Sequence, residues 1–532
     1  MAGKSVFVRD ATGVVREVSA LHAAIISFAI INTAGSYGLA YITDEMVLPG
    51  ANLGLAFLLT IPFVIINALA YAMMTETMPR SGGDYIWMSR MIHPAFGFGF
   101  EWVVAIFQAL FFGTFAAFTI NSSLASGFGS LGLVIGNNGL VGLGQYLATN
   151  AGVLEIGTLM IFIVFLFDIL ALKHYLKIQL FLYAFVLLSI ILFLGVFLST
   201  DNAGFQAAFN SFFAASNVTY TGVISKAQSS GFSNPGLVTF GSATLLAIPY
   251  SFFAIIGWTW PALIGGELKN PRKAMRYGCI VTGVVAALLV ALPGFLIQQT
   301  LGANFLNAAA YLTASGTYTA PVPFNLYYLA MVINRNPVLD ALLVVGLTFQ
   351  GMILVSAGTL VYSRVFMAWG FDRALPSKFA DVSERFHTPT ISVAVFALLL
   401  ELGLVLTLYA GVVFSQINIT LILILLYAFV GLSQMLLPYR RKNIFDSSPF
   451  KNQKIAGVPT MTIVGAVNFV VFMILSVFCL YYPSLSGPTG ASAMAFMFGM
   501  FVLGVLIFYA SWFYYKRQGI PVELAYKEIP PE

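Results

Sequence analysis

Long apolar stretches recur along the chain, separated by short polar segments that hold nearly all of its charge. A helix that crosses a bilayer needs about 20 mostly apolar residues. Twelve stretches meet that length, at 20–41, 52–75, 95–123, 153–172, 177–199, 239–265, 277–299, 338–368, 390–411, 414–437, 459–482 and 491–515. They predict an all-α integral membrane protein with twelve transmembrane helices. Composition agrees: 59% of the 532 residues are hydrophobic and 8% are charged, against roughly a quarter charged in soluble domains. The segment Met1 to Val18 is polar and predicts no signal peptide.

Basic residues test the count. If both termini are cytoplasmic, all but two of the 25 lysines and arginines fall in inner segments; the exceptions are Lys226 and Arg335. The positive-inside rule expects such a bias. The net charge of +5 therefore reports topology, and nucleic acid is not an expected partner. Two long outward segments, 199–236 and 300–336, are rich in Gly, Ser, Thr and Asn and predict surface loops.

Two stretches carry residues that a simple span does not need. In the first span, Asn32, Thr33, Gly35, Ser36 and Gly38 crowd the middle of "IINTAGSYGLAY". Each glycine weakens a helix by about 1 kcal/mol relative to alanine, and Asn and Ser compete for its backbone hydrogen bonds. In the sixth, "FFAIIGWTWPALIGGELKNPRK" places Gly257 four residues before Pro261, and proline breaks the turn before it. Each alone is read equally well as a helix contact or a kink. Together they stand at the first position of two five-helix blocks. That placement points to an inverted-repeat transporter, whose broken helices hold a substrate near the midplane. Half-helix N-termini suit a carboxylate, and freed carbonyls suit an ammonium.

Four segments resemble the amino acid–polyamine–organocation (APC) superfamily of permeases. They are "NTAGSYG", "ETMPRSGGDYIWMSRMIHPAFGFGFEW", "FFAIIGWTWPALIGGELKNPRKAM" and "SAGTLVYSRVFMAWGFDRALPSKFADVSERFHTP". The resemblance implies a LeuT-like fold: a 5+5 inverted repeat with helices 1 and 6 broken, plus two C-terminal helices. The implied organisation is a cytoplasmic N-terminus (1–19), a first repeat (20–199), an extracytoplasmic loop (200–238) and a second repeat (239–437). A cytoplasmic loop (438–458), two further spans (459–515) and a cytoplasmic C-terminus (516–532) follow. It also implies secondary transport of an amino acid or related amine across the plasma membrane. A transport-inactive sensor or complex subunit on the same fold is the alternative.

The resemblance places the substrate carboxylate at Gly35, Ser36 and Tyr37. It places the amino group near carbonyls around Thr33, Phe253 and Ile256. Phe253 would be an aromatic lid above Gly257, and Trp258 would shape the pocket, with Trp258 and Trp260 open as the residue facing it. Tyr37 stands where relatives have glycine, Thr259 where acid-resistance exchangers have glutamate, and Val186 where some proton-coupled relatives have lysine. A cation site would use Ser356 and Thr359 with carbonyls near Ile31 and Ala34. The coupling ion stays open between Na+ and H+, and monomer and homodimer stay open for the assembly.

Charges near the inner ends, Arg80, Asp84, Arg90, Glu267, Arg364, Asp372 and Arg373, are expected to pair across an inner gate. Glu101, Asp168 and Asp340 are expected near interfaces, Glu101 and Asp168 paired with nearby Lys or Arg. Glu401 is expected to make a structural hydrogen bond within its span. Cys279 and Cys479 lie far apart in apolar runs and imply neither disulfide nor metal. No phosphate loop, nucleophilic triad or metal cluster is visible, so neither an enzyme nor a resident cofactor is expected.

Overall fold

The structure, a computed structural model, describes residues 13–36, 48–233, 241–321, 324–483 and 486–528. Ten of its helices are long and apolar enough to cross a membrane. We label the elements used below in chain order: α1 Ala20–Ile31, α2 Leu53–Thr77, α3 Gly83–Met91, α4 Pro94–Ile135, α5 Asn150–Asp168, α6 Leu172–Leu198 and α7 Ile248–Ala254. They continue with α8 Pro271–Leu301, α9 Pro337–Phe371, α10 Thr390–Tyr409, α11 Ile419–Arg440, α12 Thr460–Tyr481 and α13 Ala491–Arg517. Long helices dominate because lipid offers backbone groups no partners, so each span must satisfy its own.

The first and sixth predicted spans are the exceptions. α1 stops at Asn32, which adopts a left-handed conformation (φ 56°, ψ 49°), and a further turn runs Thr33–Gly35. Asparagine is one of the few residues other than glycine that visits this region readily. In the sixth span, α7 ends at Ala254, and Gly257 has φ +143°. Below it the chain forms two short 3₁₀ turns, Trp260–Leu263 and Gly265–Glu267. The inner half was expected to be helical. Instead it is braced by neighbours: Gly82 N–H donates to Leu263 O (2.8 Å), Val18 N–H to Glu267 O (3.0 Å), and Lys269 N–H to Val18 O (3.0 Å). Pro261 and two glycines cannot sustain a helix there, and these bridges replace its ladder.

Both outward segments, expected as loops, contain helices: Asn202–Phe212, Tyr220–Ser229, Ala303–Ala314 and Leu326–Asn334. Tyr220 stacks on Phe305 (4.7 Å) and its hydroxyl donates to Leu301 O (2.9 Å), so the two segments fold together over α8. Their small and polar residues hid short amphipathic helices whose apolar partners lie far away in sequence.

Spans pack through small residues, as helices do where lipid is as apolar as the side chains. α4 crosses α10 at Gly113 and Gly403. A Cβ at Gly113 would lie 2.1 Å from Leu400 O, and one at Gly403 would lie 2.2 Å from Leu110 O. α11 meets α12 through Gly431 and Gly465 in the same way. We expect Gly403→Leu to lower stability by about 3 kcal/mol or more through overpacking. Thermal unfolding in detergent reads this directly; an unchanged midpoint would contradict the crossing.

Candidate functional site

The two interruptions face each other. Ser36 Oγ lies 3.2 Å from both Asn32 O and Ala254 O, so one hydroxyl joins the break in the first span to the end of α7. Asn32 Oδ1 accepts from Gly35 N–H (3.2 Å), and Ser36 N–H donates to Asn32 O (2.9 Å). Of the amides expected to receive a carboxylate, those of Gly35 and Ser36 are thus satisfied by Asn32. On the other break, Ile256 N–H donates to Phe253 O (3.0 Å) and Trp260 N–H to Gly257 O (3.3 Å). Gly257 packs directly on the first span: a Cβ there would sit 2.8 Å from Ile30 Cγ2 and 2.9 Å from Ile31 N.

A cavity opens between these segments. The first span contributes Ile30, Ile31, Asn32, Gly35 and Ser36. The sixth contributes Tyr250, Phe253, Ala254, Ile256 and Trp260. Phe111, Phe112 and Phe115 of α4 close one wall, with Gln108 as the polar group on that helix. Among the described residues, no charged side chain lines it.

A family model, that of the amino acid permeases, matches residues 25–525. The chain belongs to the amino acid permease family. The family lies within the APC superfamily, and the broken helices fit its LeuT-like fold. No curated protein matches the chain. The permease is therefore a multi-pass membrane protein and an amino acid transporter in general terms.

Of the eight residues expected to bind substrate, Gly35, Ser36, Phe253 and Ile256 line this cavity. Thr33 and Ala34 are buried. Tyr37 lies outside the described residues. Trp258 is the correction. It turns away, stacking edge-on to Phe252 (5.1 Å) and standing 6.4 Å from Tyr427, while Trp260 faces the cavity and meets Phe112 edge-on (5.5 Å). Trp258 lies in the irregular segment between α7 and the 3₁₀ turn that starts at Trp260, where helix periodicity does not set the side-chain directions. Asn32, marked in the sequence only as disturbing the helix, also lines the cavity, as do Gln108 and Phe112, which the sequence did not single out. A lone amide inside the apolar run "AIFQALFF" was the available signal for Gln108.

The hydroxyls proposed for a cation are held elsewhere. Ser356 donates to Asp168 Oδ1 (2.9 Å) and Thr359 to Val355 O (3.0 Å). Gln350 Nε2 donates to Ala29 O (2.9 Å), so α9 already caps a carbonyl just before the first break. Val186 is buried in α6.

At the end that carries the basic residues, two buried ion pairs form. Arg364 clasps Glu267 with two nitrogens (2.7 and 3.3 Å), tying α9 to the 3₁₀ turn below the second break. Arg90 clasps Asp372 (2.5 and 2.8 Å), and Tyr85 Oη donates to the same carboxylate (2.8 Å). Asp84 instead accepts from Tyr71 Oη (3.0 Å). Arg80 Nη1 donates to Pro79 O (3.0 Å). Glu101 and Asp168 were expected to pair with Lys or Arg and do not. Neither Glu101 oxygen has a partner, and Asp168 is held by Ser356 alone. Both are too deeply buried for the exposed lysines to reach. Asp340, expected at an interface, is likewise fully buried with neither oxygen partnered. Glu401 accepts from Thr158 (2.6 Å), a structural bond as expected.

Two outcomes follow. Trp260→Ala should change which substrates compete for uptake, whereas Trp258→Ala should leave that order unchanged; both are core truncations that cost about 3–5 kcal/mol of stability. Competition assays separate them; the same change in substrate order in both variants would contradict the assignment. The second concerns Asp84. Burial pushes its carboxyl up, to about 7, against the Tyr71 hydrogen bond, which pulls it down. Its folded pKa therefore exceeds its unfolded one. Its contribution is complete below the usual 3.8 and is lost as pH rises through about 7. Asp84→Asn should flatten the fall in melting temperature between about pH 4 and pH 7; an unaltered slope would count against this.

Proposed function

We propose that this permease is a secondary active transporter that carries an amino acid or related organic amine by alternating access. The substrate sits between the breaks in the first and sixth spans. One observation carries the reading: Ser36 Oγ links Asn32 O and Ala254 O at the mouth of a cavity that both breaks line. The backbone ends flanking the cavity recognise the carboxylate and ammonium, and the remaining wall takes the side chain. Phe111, Phe112, Phe115, Phe253 and Trp260 surround that space, and burying a charged side chain among them is costly. The preferred substrate is therefore a neutral amino acid with an apolar or aromatic side chain.

The Arg364–Glu267 and Arg90–Asp372 pairs close the inner side. Breaking one partner of such a pair leaves a buried charge and costs about 3–5 kcal/mol, so both must be exchanged or hydrated when the site opens inward. The distribution of basic residues supports both termini being cytoplasmic.

Reconstituted protein should take up labelled neutral amino acids into liposomes. Ser36→Leu and Gly257→Leu should abolish uptake, Gly257→Leu with a loss of stability as well, because its φ of +143° and its contacts with Ile30 and Ile31 disfavour a side chain. A leucine at either position must enter the contact between the two breaks, where Gly257 has no room for a Cβ. Normal uptake by either variant would refute the site.

A further inference from the structure

A second polar site lies away from the substrate cavity, where the end of α5 meets α6 and α9. Asp168, the last residue of α5, is 1% exposed. Ser356 Oγ holds its Oδ1, and its Oδ2 has no partner. Tyr175 and Gln179 stand one turn apart on α6. Tyr175 Oη and both amide atoms of Gln179 are also unpartnered, and both residues are almost fully buried. Tyr175, Gln179 and Ser356 line one small cavity. Four unsatisfied polar atoms on three neighbouring side chains are costly in a membrane interior unless something occupies the gap.

The local charge balance identifies the occupant. The cation whose charge reaches Asp168 is Arg364 on α9, but it is clasped to Glu267 and that pair is already neutral. Lys173, His174 and Lys177 on α6 are exposed. On α10, Glu401 is bonded to Thr158, three helical turns from Asp168 along α5. Glu101 on α4 is acidic and adds no counter-charge. An ionised Asp168 would therefore be an uncompensated buried charge.

We propose that Asp168 is an intramembrane proton site, gated by Ser356, Tyr175 and Gln179. With the proton on, the carboxyl donates to Gln179 Oε1 or Tyr175 Oη. With it off, Tyr175 Oη–H and Gln179 Nε2–H turn to donate to the carboxylate. The same side chains satisfy either state, so the proton can come and go without unfolding its surroundings. Ser356 reports the change to α9, whose Gln350 holds Ala29 O beside the first break and whose Leu354 lines the substrate cavity. Proton coupling through α9 rests on the transport reading above; the proton site itself does not.

Infrared difference spectroscopy on the purified full-length protein tests the site without any substrate. Expected is a protonated-carboxyl band near neutral pH that Asp168→Asn removes, that Tyr175→Phe shifts in its titration, and that Na+ leaves unchanged. No Asp168-dependent band, or one that vanishes when Na+ is added at constant pH, would overturn the proposal. If Asp168→Asn fails to fold, the shift with Tyr175→Phe and with Ser356→Ala decides, and an identical titration in both overturns it. Uptake of labelled neutral amino acids then tests coupling. Wild type should accumulate them under an inward proton gradient, and Asp168→Asn should lose accumulation while still exchanging internal for external substrate. Accumulation by wild type that ignores the gradient would overturn the coupling. A band with no uptake under any gradient would leave the proton site standing and refute the transport reading instead.

Discussion

Backbone groups that leave a helix inside a bilayer must find partners within the protein, and this permease is organised around two places where that demand arises. At the first, Asn32 turns left-handed and uses its own side chain to cap Gly35. At the second, the chain passes through Gly257 into 3₁₀ turns braced by Gly82 and Val18. Ser36 then spans the gap to Ala254. The breaks are thus satisfied from within. A site of this kind needs no charged side chain, and its described lining contains none.

The charges that are buried divide into two kinds. Arg364–Glu267 and Arg90–Asp372 are paired, hydrogen-bonded and placed below the site, where they join α9 and α3 to segments that would separate on opening. Such pairs contribute little net stability relative to apolar packing but fix one arrangement against others. Glu101, Asp168 and Asp340 are carboxylates without a cation partner. A lone carboxylate is stable at depth only if it is neutral or if its environment can follow its charge. α9 touches both kinds: Arg364 lies at one end, Ser356 holds Asp168 in the middle, and Gln350 and Leu354 reach the first break and the cavity. A single helix therefore connects the buried ion pair, the buried acid and the cavity.

Much of this was legible in the chain itself. Apolar run lengths specified the spans because bilayer thickness leaves little freedom. Gly257, Pro261 and the Asn-Thr-Ala-Gly-Ser run marked the breaks, because those residues disfavour helix whatever surrounds them. Gly35, Ser36, Phe253 and Ile256 were implied by the family resemblance and do line the cavity. What the tertiary structure alone decided was orientation and partnership. Trp260 instead of Trp258 faces the cavity because the backbone between them and α7 is irregular, passing through Gly257 at φ +143°, so helix periodicity does not decide it. Asp168 pairs with Ser356, nearly two hundred residues away, and Glu267 with Arg364. Local pattern carries no record of such contacts, since they depend on which helices lie side by side and how each is rotated.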